Sequence, residues 1–269
     1  MLERLWVKQE EEKHFGCCLA FSLIFTLLSI FIAHYFVPFR VAGMKLTGLI
    51  AVMFASLAAS YPLIKYLEDE EDVFEKDEKN LKDTFDLLER HSTELKVYLA
   101  FFLGVTLAFG ISSVVLPAEV FEVQHEVIGS IRPDVAAGRV FSPGFFTEII
   151  TNNISVFFVT FLLSFFLTAG MVFILVWNAS ILGIFISEIT KGIVDVPLVA
   201  LSYLPHGILE IAAYIIAGLS GFFLSHEVGL VLEWEDKSRA IKLMRDSILF
   251  LVIGFIVLVI AAVIESTGV

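Results

Sequence analysis

The sequence predicts an all-α polytopic membrane protein with six to seven transmembrane helices. Hydrophobic residues make up 58% of the 269, with 27 Phe among them, and mean hydropathy is +0.87. Several uncharged apolar runs approach the roughly 20 residues that a helix needs to cross a bilayer. Alternating strand-length segments are missing from the pattern, which disfavours a barrel and leaves helices to satisfy the backbone in lipid.

Residues 1–15 form a mixed-charge N-terminus. Gly16–Val37, closed by Pro38, is too long for a signal-peptide core and lacks a cleavage site, so it is read as a retained span. Gly43–Ile64 is the second span and completes a transmembrane hairpin over 16–64. Ala51, Ala55 and Ala59 repeat along it every fourth residue, a small-residue stripe that permits close helix contact. Residues 65–96 are hydrophilic and acidic. Leu67, Phe74, Leu81, Leu88 and Leu95 recur there at seven-residue intervals, which predicts helix with one narrow apolar seam. Span three is 97–116, ended by Pro117. The 117–147 loop follows, with a short amphipathic helix expected over Ala118–Ile131 that turns Val120, Val127 and Ile131 to one side and leaves His125 and Glu126 solvated.

Span four is expected over Phe145–Val176, inside a core of broken helices at 148–224. The apolar run from Asn178 stops early at Glu188, Lys191 and Asp195, and a turn is expected around Gly192. A further break is expected at Pro205-His206-Gly207, which gives a broken or re-entrant region around 178–207. Ala213, Ala217 and Gly221 form a second small-residue stripe. Residues 225–246 read as an amphipathic cytoplasmic segment and 247–269 as the last span. Lys and Arg concentrate in the N-terminus, 65–96 and 225–246, whereas 117–147 holds only Arg132 and Arg139. The expected topology therefore puts the N-terminus in the cytoplasm of a plasma-membrane protein, with the 117–147 loop outside.

Composition narrows the function. A net charge of −12 argues against nucleic acid as a partner. Cys17 and Cys18 are neighbours, so neither a disulfide framework nor metal spacing is present. Scarce Asn and Gln beside abundant Glu and Lys are the bias of thermophile proteins. No Walker loop, dinucleotide fingerprint or Gly-x-Ser-x-Gly elbow occurs.

The candidate site is Pro205-His206-Gly207-x-x-Glu210, where an imidazole and a carboxylate fall four apart on one helix face within an apolar run. An imidazole–carboxylate pair would satisfy both groups, with Asn152, Asn153 and Asn178 as further polar companions. Three roles stay open: a structural helix junction, an ion or proton site of a permease or channel at the midplane, and a divalent metal held by His206 and Glu210 for hydrolysis. Asn152-Asn153, Gly170, Asn178-x-x-x-x-Gly183, Pro205-His206-Gly207-x-x-Glu210 and Gly218-x-x-Gly221, in that order, resemble the stage II sporulation protein M family. The resemblance implies a multi-pass membrane protein. From the members in endospore formers it implies a non-enzymatic scaffold that serves peptidoglycan-degrading partners, working as a homo-oligomer or within a membrane complex.

Overall fold

The computed structural model describes residues 11–37, 39–76, 87–88, 91–136, 143–167, 169–190, 196–233 and 237–267. Eight α-helices carry the described chain. They are α1 (Glu11–Phe36), α2 (Thr47–Lys76), α3 (Ser92–Val115), α4 (Glu122–Ala136), α5 (Pro143–Phe166), α6 (Gly170–Ile189), α7 (Val196–Glu233) and α8 (Lys237–Thr267). Six contain segments long and apolar enough to cross a membrane, and the shorter apolar stretch Ile150–Phe166 in α5 makes a seventh. The all-helical, multi-pass reading of the sequence holds.

Contacts along the chain give each helix a direction. Cys18 and Ser22 of α1 meet Val97 and Gly104 of α3, so these two run parallel. Ser113 and Ser187 do the same for α3 and α6. Asn153 meets Glu210, and Ser164 meets Gly218, so α5 parallels α7. Glu227 of α7 meets Ser247 of α8, while Glu210 meets Glu265, so α7 and α8 are antiparallel. Seven alternating crossings satisfy all of these pairings.

Three expected boundaries move. The single long span expected at Phe145–Val176 is two helices, α5 and α6, joined by a tight turn in which the Gly170 N–H bonds the Leu167 carbonyl at 2.5 Å. With α6 starting at Gly170 rather than Asn178, it is a full-length span. The interruption within 178–207 lies between Ile189 and Val196, and the turn expected at Gly192 falls outside the described residues. The helix does not break at Pro205-His206-Gly207: α7 runs through it for 38 residues. Proline removes one backbone hydrogen bond, whereas a full break would strand several polar groups where no water reaches them. Pro62 lies inside α2 in the same way.

Between α1 and α2, Arg40–Val41 and Met44–Lys45 form a two-residue hairpin, β1 and β2. Ala42 and Gly43 both have positive φ, 52° and 89°, the backbone of a type I′ turn. A 3-10 turn at Ala118–Phe121 buries Val120 and Phe121 and leads into α4, where Gln124 and Ile128 are buried and Val127 is half-buried; the Ile131 side chain lies outside the described residues. α2 extends well past its apolar span to Lys76, so the first part of the acidic segment is helical; Leu81 of the seven-residue seam lies outside the described residues. No separate helix occupies 225–246, because α7 and α8 extend into it from either side.

Large aromatic side chains fill the core: Tyr98, Phe101, Phe102, Phe109, Phe121, Phe157 and Phe250 are all fully buried. Both small-residue stripes are used inside the chain. Ala51, Ala55 and Ala59 are buried, and so are Ala213, Ala217 and Gly221. The exposed large side chains, such as Leu57, Val114, Phe166 and Val263, are apolar, as a lipid-facing surface requires.

Candidate functional site

Glu210 lies one turn inside the apolar span His206–Val228 of α7. A carboxyl there needs companions, since leaving it alone in an apolar setting is costly. Two other helices supply them. Asn153 of α5, 7% exposed, donates its amide to Glu210 Oε1. The Glu265 carboxyl of α8 lies within electrostatic range of Glu210. Asn152, exposed, donates to Asn153 Oδ1 at 3.3 Å and extends the chain of bonds outward. Tyr214, one turn beyond Glu210, is buried within electrostatic range of both carboxyls.

The structure thus brings Asn152, Asn153 and Glu210 together and adds Glu265. It leaves Asn178 out, because that amide bonds the Ile174 carbonyl of its own helix at 2.8 Å. His206 sits half-buried one turn before Glu210, whose Oε1 takes the Asn153 amide. Among the described residues no three His, Cys, Asp or Glu side chains gather as a metal site.

The glycines expected to matter divide by what a side chain would meet. A Cβ on Gly183 would run into the Thr106 carbonyl and stand 2.9 Å from the Gly110 nitrogen, so α3 and α6 touch backbone to backbone. Gly221 packs equally hard on the Phe161 carbonyl, Gly218 on Met171 and Gly170 on Leu163. Gly207 differs, because nothing lies within 4 Å of its Cβ position. Ser164 Oγ closes the α5–α7 contact by donating to the Gly218 carbonyl at 2.6 Å.

A second polar group lies at the opposite end of α7. Glu227 is 4% exposed and takes the Ser247 hydroxyl, 2.9 and 3.0 Å from its two oxygens. One turn away, the His91 ring lies between Phe223 and Phe250, at centroid distances of 4.7 and 5.1 Å. Its Nδ1 is 3.2 Å from Oε1 of Glu94, which is 1% exposed. A third group ties α4 to its neighbours. His125 is not solvated as expected: its Nδ1 is 2.5 Å from Glu188 Oε1 of α6. The Lys45 N–H donates to Glu122 Oε2 at 2.6 Å, and the Lys45 ammonium pairs with Glu119. These contacts hold the hairpin on the start of α4. The Lys45 hydrogen bond and charge, with a smaller contribution from Arg40, hold the Glu119 carboxyl below its ordinary range.

Sequence reading missed Glu265, Glu227, His91, Glu94 and the His125–Glu188 pair. For Glu265 the available signal was an acidic residue bordering a strongly apolar run. Glu227 with Ser247 and His125 with Glu188 pair across twenty residues or more and left none, and His91 and Glu94 stand within an acidic, charge-dense stretch.

With this geometry in view, comparison with known proteins is specific. A stage II sporulation protein M profile matches residues 18–268, nearly the whole chain. An uncharacterized protein of Methanocaldococcus jannaschii is 33% identical over 127 residues, which cover 45% of this chain and 68% of that protein. No solved structure matches the chain. The tightly packed glycines and the Asn153–Glu210 bond lie within the matched region, and the chain belongs to the stage II sporulation protein M family.

Proposed function

We propose that this protein is a non-enzymatic membrane scaffold or envelope-remodelling component, acting as a homo-oligomer or with a membrane-complex partner. The observation that carries the reading is the placement of Glu210. Its companions come from α5 and α8, so the cluster joins three helices. Polar groups so placed fasten helices to each other. Along the same helices the glycine contacts close the packing backbone to backbone. Both small-residue stripes are consumed within the chain, so contacts with other chains fall on other surfaces, and the helical extension of α2 beyond Leu67 is the most prominent of these.

The same reading places the protein in the plasma membrane with its N-terminus inside, as the distribution of Lys and Arg favours. Purification from native membranes in mild detergent, with mass measured by light scattering, tests it. A particle larger than one chain is expected. A monodisperse single chain without partner would count heavily against the scaffold.

One observation favours a second reading, a permease or channel: Glu210 and Glu265 bring two acidic side chains within range of each other between two helices. Proteoliposome flux abolished by Glu210→Gln would support it, and flux indifferent to that change would remove it.

A further inference from the structure

On α3, two buried polar atoms have no hydrogen-bond partner among the described residues. Tyr98 is 0% exposed, and its phenol oxygen has no hydrogen bond. Glu94 lies one turn earlier on the same face of α3; its Oε1 engages His91, while its buried Oε2 engages nothing. Tyr66 of α2 and Cys18 of α1, both buried, close around the Tyr98 hydroxyl within electrostatic range. The thiol is already used, donating to the Val97 carbonyl at 3.3 Å. A phenylalanine at 98 would fill the same volume, so packing alone does not call for the hydroxyl. Buried polar groups normally have partners, and enclosed guests commonly satisfy those that the protein does not.

We propose that Glu94 Oε2 and Tyr98 Oη bind one small guest through oxygen, either a water molecule or an alkali cation, enclosed between α1, α2 and α3. The carboxylate oxygen accepts from a water or coordinates a cation, and the phenol oxygen offers a proton or a lone pair to the same guest. Both guests use the same two atoms and differ only in charge. The guest ties the start of α3 to the α1–α2 pair at the end of the bundle where the acidic 65–96 segment begins and ends.

The test is thermal unfolding of the full chain in detergent, as wild type, Tyr98→Phe and Glu94→Gln, in sodium chloride and in choline chloride at equal ionic strength. Tyr98→Phe is expected to lower Tm by roughly 2–6 °C in sodium chloride, as the loss of a satisfied buried bond would. A wild-type Tm higher in sodium than in choline, with the difference lost in both variants, identifies the guest as a cation. A Tyr98→Phe loss equal in both salts identifies water. An unchanged or higher Tm for Tyr98→Phe in both salts overturns the proposal, because the hydroxyl would then sit dry and its removal would relieve a penalty. A direct Tyr98–Glu94 bond would also lower Tm. An experimental density map separates that case: a peak bonded to both oxygens supports the guest, and the two oxygens bonded to each other overturn it.

Discussion

Two glycines of the same family pattern should respond to alanine with opposite signs. At Gly183 the added methyl meets the Thr106 carbonyl and the Gly110 nitrogen, both of them backbone atoms that cannot rotate aside. The α3–α6 pair must separate by several tenths of an ångström along a contact that also aligns Ser113 with Ser187, 2.5 Å apart. Overpacking of this kind costs about 1–3 kcal/mol, and the rigid backbone places Gly183→Ala toward the upper end. For a chain of this size that is a Tm lower by roughly 4–10 °C. At Gly207 nothing lies within 4 Å, and the residue is in the interior of α7. Alanine there removes only a helix-weakening residue, so Gly207→Ala should leave stability unchanged or raise it by about 0.5–1 kcal/mol. Thermal scans of both variants in one detergent, with Gly183→Ser as a second size step, read the contrast. A neutral Gly183→Ala beside a destabilised Gly207→Ala would refute the helix packing described here.

Other expectations follow from single contacts. Asn153→Leu should cost about 1–3 kcal/mol, because Glu210 loses its amide donor while it stays enclosed, and Asn153→Gln should recover part of that in a chemical-denaturation series. Ser247→Ala should destabilise by about 1–2 kcal/mol through loss of the bond to Glu227, whereas Glu227→Gln should cost less; a larger loss for the glutamine would contradict the geometry. Glu119 titrates below its ordinary value in the folded chain, so its pairing with Lys45 contributes at neutral pH and is lost as pH falls below about 4.5 through the lowered value. Hydrogen exchange of the Arg40–Lys45 hairpin should accordingly quicken on acidification relative to the intrinsic rate. Glu119→Gln should remove that pH dependence.

Much of the fold was legible because lipid imposes one rule, namely apolar length. Each apolar helix overlaps a run visible in the sequence, but the α5–α6 turn was invisible, since Leu167 to Gly170 holds neither charge nor proline to interrupt hydropathy. Pro205-His206-Gly207 misled in the other direction, as residues that end helices in water are carried through in α7. Within the site, Asn153 and Glu210 were legible as expensive polar groups in apolar runs. Glu265 was overlooked inside the last expected span, 247–269, because nothing in the sequence indicated which helix would meet it. His91 and Glu94 were lost in the charge density of 65–96, although their neighbours Phe223 and Phe250 lie far along the chain.

The two acidic anchors of α7 set a length. Glu210 and Glu227 are separated by about 25 Å of helix rise at ~1.5 Å per residue, a little less than the roughly 30 Å of an average hydrocarbon layer. Both are fastened to α8, so the hairpin cannot stretch to suit its surroundings. The α7–α8 hairpin is thus clamped at two levels, and sliding one helix along the other has to break both clamps together.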